Sequence, residues 1–197
     1  MQAALQLGAM HADSWKRDPK HLGFVLARYT FVAKMFKGFR NVLEVGCGDC
    51  TGAGIVSEAV ENWHGFDNDP HLLKVGPRTH LYDALSGPFP GEWDGVYALD
   101  FLEHIYPEQE DWVLVNIKQN LVDYGVVIIG MPSKESQPYA SRLSKQHHVN
   151  CKTEDELRST LRRHFHNVFL FGMNDSTLHT GFGPLCHYRL AICTGAI

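Results

Sequence analysis

The sequence predicts an α/β fold in which a seven-stranded, mostly parallel sheet lies between two layers of helices. Short apolar segments bounded by glycine and proline alternate along the chain with segments whose apolar residues have helical spacing. No internal repeat or low-complexity linker interrupts this alternation. Because 197 residues is an ordinary length for one domain, we expect a single domain over residues 1–197.

Each element follows from a local pattern. Residues 21–36 carry apolar side chains at helical spacing, and Thr153 with Glu156 matches a capping box that starts a helix ending near residue 164. The other predicted helices cover residues 55–60, 69–75 and 107–121. The predicted strands cover residues 41–45, 63–66, 79–82, 94–99, 126–130, 167–171 and 187–193. A polar loop rather than a helix joins the last two strands, so we expect the last strand to be antiparallel.

Composition narrows the function classes. The chain is 44% hydrophobic and 20% charged with a net charge of −4, and no basic run is interleaved with aromatic residues. A nucleic-acid partner is therefore not favoured, and we interpret Arg158, Arg162 and Arg163 as a solvated helix face. Neither a membrane span nor a secretory signal is recognisable, and five scattered cysteines suit a reducing compartment. These features predict a cytoplasmic protein.

A glycine-rich turn follows the first predicted strand. Residues 42–52 read V-L-E-V-G-C-G-D-C-T-G, a buried strand that enters a turn and then a helix, and glycine there lets the backbone approach a ligand closely. A dinucleotide fingerprint would place a third glycine where this chain has Thr51. Cys47 and Cys50 have C-x-x-C spacing, but a second cysteine pair that could complete a zinc site is missing from the sequence. A redox or metal role for this pair and a turn without any ligand are the alternatives.

Acidic residues follow the next three strands. Asp67 lies 21 residues after Gly46, close to the interval at which a carboxylate meets ribose hydroxyls in nucleotide-binding folds. Asp83 directly follows the third predicted strand and Asp100 follows the fourth. The alternative is that Asp67 only begins the turn at Asn68 and that Asp83 is an ordinary loop acid.

These residues together resemble two family motifs. Glu44, Gly46 and Gly48 form an E-x-G-x-G pattern that resembles motif I of the class I S-adenosylmethionine-dependent methyltransferases. Residues 93–104, which end in L-E-H, resemble motif IV of the branch that includes ubiquinone-biosynthesis O-methyltransferases. The resemblance covers residues 41–132, and it indicates a superfamily rather than a particular enzyme. Cys50 departs from it, because many relatives have glycine there and a side chain narrows the turn.

The resemblance implies a Rossmann-like fold and S-adenosyl-L-methionine as cofactor. In this family the glycine turn accommodates the methionine part of the cofactor, and the acid after the third strand holds the adenine amino group. Carried over onto this sequence, the implied cofactor-binding residues are Glu44, Gly46, Cys47, Gly48, Asp67, Asn68, Asp83, Ala84 and Asp100.

Several histidines could serve as the base that removes a proton from the methyl acceptor. An oxygen nucleophile usually needs a base, whereas an amine needs little more than desolvation. His104 lies just beyond the fourth strand and is the expected catalytic base, although a histidine bonded to backbone is the alternative. His147, His148, His179 and Asp175 also remain open as the base. They could together hold a metal, but their spacing matches no metal motif, so we expect no metal site.

Two segments are expected to cover the site. Residues 133–152, rich in Ser, Lys, Gln and His, are predicted to form a substrate loop, and residues 1–40 a helical cover over the cofactor. Arg28 on this cover is a candidate for binding the cofactor's carboxylate, but a solvated charge on an amphipathic helix is the favoured interpretation.

The sequence therefore predicts a methyltransferase that methylates a hydroxyl of a small molecule, such as a sugar, a phenol or a natural product. N-methylation and the methylation of RNA or protein are alternatives. A cofactor-binding partner subunit without catalysis is another, and an NAD-dependent enzyme is a third. The sequence leaves the acceptor and the oligomeric state open.

Overall fold

A computed structural model describes residues 7–73 and 76–197 of the chain. The described helices are α1 (Ala9–Arg17), α2 (Pro19–Met35), α3 (Ala53–Ser57), α4 (Pro107–Lys118), α5 (Arg142–His147) and α6 (Glu154–Arg162). The described strands are β1 (Asn41–Val45), β2 (Asn62–Asp67), β3 (Thr79–Leu81), β4 (Trp93–Leu99), β5 (Leu121–Pro132), β6 (Phe165–Met173), β7 (Leu178–His179) and β8 (Tyr188–Ala196). Short 3-10 helices lie at Leu102–His104, Lys134–Tyr139 and Gly183–Leu185.

All described strands belong to one sheet, whose order is β3-β2-β1-β4-β5-β8-β6-β7. Neighbouring strands from β3 to β5 are parallel, and β8 is antiparallel to both β5 and β6. The predicted α/β class and the antiparallel last strand are confirmed. The described part of the chain has eight strands rather than seven, because two residues after β6 turn back and pair with it as β7.

Helices cover both faces of the sheet, as the alternation of β4 shows. Val96 and Ala98 are buried in one core with residues of α4 and α6, whereas Tyr97 and Leu99 are buried in a second core with residues of α2 and α3. Successive side chains of a strand point to opposite faces, so a strand buried on both sides is apolar throughout. The arrangement is the three-layer sandwich that the sequence predicts.

The predicted helices match the structure least well where they are short. Residues 70–72 form a turn instead of the predicted helix over 69–75, whose last two residues lie outside the described part. A helix of one turn fixes several residues for a single hydrogen bond, which makes it unfavourable without tertiary support. The predicted loop over 133–152 contains the second 3-10 helix and α5, each begun by a serine cap, Ser133 or Ser141.

Two further differences concern element bounds. Helix α1 lies within the expected helical cover over residues 1–40, although its own bounds were not predicted. Strand β5 begins at Leu121, the last residue of the predicted helix over 107–121 and five residues before the predicted strand start at Val126. None of the described helices is both long and apolar enough to cross a membrane.

Candidate active site

The site is built where parallel strands end side by side. Strands β3, β2, β1 and β4 are neighbours in the sheet, so their carboxyl ends meet at one edge. The chain runs outward from β1 to β3 on one side and continues through β4 and β5 on the other. Open α/β sheets bind ligands in the crevice at such a reversal of strand order.

The glycine turn after β1 has a backbone that only glycine adopts easily. Gly46 has φ +74° and Gly48 has φ +51°, both in the left-handed region. The amides of Gly46 and Cys47 donate to the carbonyl of Phe66 at 2.8 and 3.2 Å, which fixes the turn against β2. A Cβ atom on Gly46 would lie 2.4 Å from the ring of Phe101, so no side chain fits there.

Asp67 joins the turn to the end of β2. One carboxylate oxygen accepts from the amide of Gly48 at 2.7 Å, and the other accepts from the amide of Asp69 at 2.8 Å. A carboxylate has about four acceptor positions, so each oxygen retains room for one more donor. The half-buried Asp67 is thus oriented by the backbone and still able to accept from two hydroxyls.

Asp49 fastens the N-terminal segment onto the turn. Its buried carboxylate accepts hydrogen bonds from the His11 ring at 2.9 Å, from the Gly8 amide at 2.5 Å and from both the amide and hydroxyl of Thr51 at 3.0 and 2.6 Å. Burial alone would raise the pKa of Asp49, but these donors hold it well below its usual value. The start of α1 is therefore held against the glycine turn.

Glu44 lies beneath the turn and not on its open side. Its side chain is 1% exposed, and its carboxylate accepts from the hydroxyl of Tyr97 at 2.7 Å, which in turn accepts from the indole N–H of Trp63 at 2.8 Å. Burial raises the pKa of Glu44 to about 8, although hydrogen bonds from Tyr97 and Tyr29 lower it. The structure does not bring this carboxylate to the crevice, which corrects its expected role as a direct ligand of the cofactor.

The two cysteines of the turn face inward. Their sulfur atoms are 3.4 Å apart, and the Cys47 side chain is 4% exposed. The hydrogen bond from Cys50 and burial together raise the pKa of the Cys47 thiol well above its usual value. Cys47 can therefore face a ligand only through its backbone. Cys50 lies where many proteins of the resembled superfamily have glycine, and its φ of +57° is a conformation that costs a residue with a side chain some strain.

The remaining predicted residues at this edge differ in exposure. Asn68 and Asp83 are exposed, and one oxygen of Asp83 accepts from the amide of Leu85 at 2.9 Å. Ala84 is buried in the core, and its carbonyl accepts from the amide of the Asn116 side chain at 2.8 Å. The Ala84 side chain therefore does not line the crevice, which leaves only its amide for the predicted contact.

Arg28 reaches the end of β4. Its guanidinium lies 2.5 Å from a carboxylate oxygen of Asp100 and stacks on the ring of Tyr188, with 3.7 Å to the ring centroid. The Arg28 side chain is 11% exposed, so the interpretation as a solvated charge is wrong. Asp100 itself has φ +51°, an uncommon backbone for a residue with a side chain that is often found at functional sites.

The expected base lies in a cluster that we call the Glu-His-His cluster, made of Glu103, His104 and His148. His104 is exposed, and its Nδ1 is 3.1 Å from the carbonyl of His147. The rings of His104 and His148 are 5.2 Å apart in an edge-to-face arrangement. Burial and the neighbouring His104 lower the pKa of His148. Nδ1 of His104 is therefore bonded to backbone, as the alternative interpretation proposed. Its Nε2 can still accept a proton or bind a ligand.

Glu103 belongs to this cluster, although the sequence pattern favours only its neighbour His104 as a functional residue. It is 0% exposed, and neither carboxylate oxygen has a hydrogen-bond partner among the described residues. Burial and the charge of Asp100 raise the pKa of Glu103 well above its usual value. The L-E-H pattern was the only available signal, and it does not reveal which way the carboxylate points.

Segment 133–152 is fastened beside this cluster. The amides of Val149 and Asn150 donate to the backbone carbonyl of Glu103 at 2.8 and 3.0 Å. The Asn150 side chain and the amine of Lys152 both lie 2.8 Å from one oxygen of the buried Glu110. These contacts hold His148 against His104 across 44 positions of sequence.

Two of the other proposed bases lie apart from this cluster. Asp175 is exposed and accepts from the amide of Thr177 at 2.8 Å, and His179 belongs to β7 at the sheet edge. Within residues 7–73 and 76–197, the one group of potential metal ligands brought together is the Glu-His-His cluster, which shares only His148 with the alternative metal set considered from the sequence. The alternative metal set that adds His147, Asp175 and His179 is therefore not assembled.

The basic helix face and a cavity are two further features of the structure. Arg158 pairs with Glu154 at 3.1 Å and Arg163 with Asp111 at 2.8 Å, so acids neutralise much of the basic helix face. A cavity of about 500 Å³ lies against the amino ends of β1 and β4, where Asn41 and Trp93 contribute to its lining. The lining also includes Phe66 and Tyr82, which directly precede Asp67 and Asp83 in the sequence.

Solved structures that share this fold include S-adenosylmethionine-dependent methyltransferases. A SAM-dependent methyltransferase from Archaeoglobus fulgidus aligns with TM-score 0.72 and 20% identity over 94% of this chain and 99% of that chain. An S-adenosylmethionine-dependent methyltransferase from Clostridium acetobutylicum ATCC 824 aligns with TM-score 0.73 and 12% identity over 94% and 98%. The N-methyltransferase NodS from Bradyrhizobium japonicum WM9, in complex with S-adenosyl-L-homocysteine, aligns with TM-score 0.67 and 13% identity over 93% and 92%.

The chain therefore has the Rossmann-like fold of S-adenosylmethionine-dependent methyltransferases, which confirms the expected fold. No protein-family model and no curated protein matches the sequence.

Proposed function

We propose that this protein is an S-adenosylmethionine-dependent methyltransferase that methylates a hydroxyl oxygen of a small molecule. The observation that carries the proposal is Asp67, whose carboxylate is oriented by the Gly48 and Asp69 amides and keeps acceptor positions for two ligand hydroxyls. It lies beside a glycine turn that a side chain at Gly46 would block. This combination suits a ribose next to a ligand that approaches the backbone closely.

The cofactor placement follows the family resemblance onto this crevice. The turn at Gly46 and Gly48 receives the methionine part, Asp67 binds the ribose hydroxyls, and Asp83 binds the adenine amino group. Asn68, the Ala84 amide and Asp100 complete the proposed contacts. Arg28, held against Asp100 by an ion pair, adds a positive charge near the expected carboxylate of the cofactor.

The reaction is an in-line displacement. The acceptor oxygen forms a bond to the methyl carbon while the carbon–sulfur bond breaks, and its electron pair returns to sulfur to leave S-adenosylhomocysteine. The acceptor's proton must go to a base. With its Nδ1–H donating to the carbonyl of His147, His104 has an unprotonated Nε2 that can accept that proton. Helices α1 and α2 and segment 133–152 would exclude water from this step.

Amine methylation is the second candidate, because NodS, an N-methyltransferase, shares the fold. An amine acceptor needs little from a base, so the two candidates differ in their dependence on His104. RNA or protein acceptors receive less support, since the arginines near α6 are paired with acids. A partner subunit without catalysis would bind the cofactor and transfer no methyl group.

The test is transfer of a labelled methyl group from S-adenosylmethionine to a panel of hydroxyl and amine compounds. We expect a hydroxyl acceptor whose turnover falls by roughly 100-fold or more in His104→Asn, the usual contribution of a general base. His166→Ala, which changes an exposed histidine on β6, serves as the matched control. Methylation of amines alone, unaffected by His104→Asn, would establish the second candidate instead.

A further inference from the structure

We propose that Glu103, His104 and His148 bind a divalent first-row transition-metal ion. Each of the three side chains offers one ligand atom, and these atoms lie within 4.8 Å of one another. The inference differs from the sequence-based expectation of no metal site. It also deepens the proposed function, because it concerns the place where the acceptor is expected to bind.

The buried carboxylate is the first argument. Glu103 is fully buried, and both of its oxygens lack a hydrogen-bond partner among the described residues. Buried polar groups are almost always paired, so a carboxylate without a protein donor indicates that an ion or a water molecule binds it. The nearest charged neighbours do not supply the pairing, because Arg28 is bonded to Asp100. A cation between Glu103 and the two histidines satisfies the carboxylate.

The orientation of the two imidazoles is the second argument. Nδ1 of His104 is 3.1 Å from the carbonyl of His147, and Nδ1 of His148 is 3.0 Å from the side-chain oxygen of Gln137. Both oxygens are acceptors, so each Nδ1 carries the proton and each Nε2 presents a lone pair. Histidines that bind metals almost always donate their other ring N–H in this way. Both rings are thus in the tautomer that a metal requires.

The ligand set selects the kind of ion. Two imidazoles with one carboxylate suit Mn²⁺, Fe²⁺, Co²⁺ and Zn²⁺, whereas Mg²⁺ and Ca²⁺ prefer oxygen ligands. Three protein ligands leave at least one coordination position open, as in catalytic and not in structural sites. His104 is exposed, so the site is open to solvent on the side of His104.

The position of the site gives the ion a consequence for the reaction. Glu103 follows Asp100 by three residues, directly beyond the end of β4, where the methyl acceptor is expected. A bound divalent ion lowers the pKa of an oxygen that coordinates it. In the metal-bound protein Nε2 of His104 is a ligand, the acceptor is a hydroxyl compound with oxygen donors for the ion, and its proton passes to solvent water. In the metal-free protein Nε2 of His104 accepts that proton.

The test is direct metal binding by the whole chain, without cofactor. Protein stripped with a chelator is titrated with Mn²⁺ and with Zn²⁺ by calorimetry, and the bound metal is counted by elemental analysis. We expect one ion per chain. Glu103→Gln and His148→Ala should each weaken binding by at least about 100-fold, since losing a ligand costs at least as much as losing an outer-shell partner.

His147→Ala is the matched control, because it removes a neighbouring exposed imidazole and keeps the carbonyl that holds His104. Its metal affinity should equal that of the unchanged protein. An equal loss in His147→Ala, or unchanged binding in both ligand variants, would overturn the proposal. So would the absence of binding at micromolar Mn²⁺ and Zn²⁺.

Two controls keep the result interpretable. Circular dichroism and thermal unfolding show whether Glu103→Gln folds. If Glu103→Gln does not fold, His148→Ala tests the metal site instead, because His148 is only half-buried. S-adenosylmethionine binding is measured separately on the metal-free protein. Cofactor binding without metal binding rejects the metal site alone, and metal binding without cofactor binding rejects the proposed methyltransferase.

Discussion

The glycine turn and the Glu-His-His cluster lie at the same edge of the sheet, yet their polar groups are satisfied in opposite ways. Around the turn, Asp49, Asp67 and Glu44 all accept hydrogen bonds from the protein itself. In the cluster, the buried carboxylate of Glu103 has no such donor within the described ranges. The carboxylates around the turn therefore need no ligand for their hydrogen bonds, and the turn presents its backbone to a ligand. The carboxylate of Glu103 needs a partner from outside the described residues.

The largest expected effect is on the free energy of unfolding, and it tests whether the glycine turn tolerates a side chain. We expect Gly46→Ala to lower the free energy of unfolding by about 3 kcal/mol, since it adds a left-handed strain and a clash with Phe101. Gly54→Ala is the control, because nothing lies within 4 Å of a Cβ atom there and alanine suits a helix. Chemical denaturation measures both. A tolerated Gly46→Ala would mean that the turn adapts.

The next effect separates ligand binding from folding at the same scaffold. We expect Asp67→Ala to weaken S-adenosylmethionine binding by about 1 to 3 kcal/mol, because ligand hydroxyls lose their acceptor. Asp175→Ala, at an exposed acid beyond β6, should leave the affinity unchanged. Calorimetric titration compares the two variants. An unchanged affinity in Asp67→Ala would remove this carboxylate from the cofactor site.

A smaller effect is expected where the N-terminal segment meets the turn. Asp49→Ala removes the acceptor shared by Gly8, His11 and Thr51, and should cost about 2 kcal/mol of stability. Proteases should also cut more readily near α1. The control Asp13→Ala removes only an exposed ion pair with Arg17 and should change stability by less than about 0.5 kcal/mol. Equal behaviour of the two variants would contradict the anchoring role.

The smallest effect concerns the pH dependence of the buried network. The folded protein keeps the proton on Glu44 up to about pH 8, whereas the unfolded chain loses it above its ordinary pKa of 4.5. Stability contributed by this group therefore falls as pH rises between those values. Glu44→Gln lacks this loss, so its stability relative to the unchanged protein should increase by about 1 kcal/mol from about pH 6 to about pH 7. A pH-independent difference would show that Glu44 is ionised in the fold.

The same comparison explains what the sequence could predict. The strands, the glycine turn and the acids between Glu44 and Asp100 are recognised from residues that lie close together in the sequence. The α/β class and the sheet edge that carries the candidate site could therefore be predicted. The burial of Glu44 did not, because its partner Tyr97 lies 53 positions away and both strands must pair first. Sequence alone also favoured a solvated Arg28, whose true partner Asp100 is 72 positions distant.

The cluster shows this limit most clearly. Glu103 and His104 are adjacent in sequence, but His148 reaches them only because the backbone carbonyl of Glu103 accepts from Val149 and Asn150. Nothing in the local pattern predicts that contact. The alternative metal set of His147, His148, Asp175 and His179 failed in the same way, since it grouped residues by their place in polar loops and not by the strand ends they approach.

The central claim is that the crevice beside the glycine turn binds S-adenosylmethionine, and calorimetric titration of the protein with S-adenosylmethionine, S-adenosylhomocysteine and NAD tests it most directly. We expect micromolar affinity for the first two and no binding of NAD. Binding of NAD alone, or of none of the three, would contradict the claim.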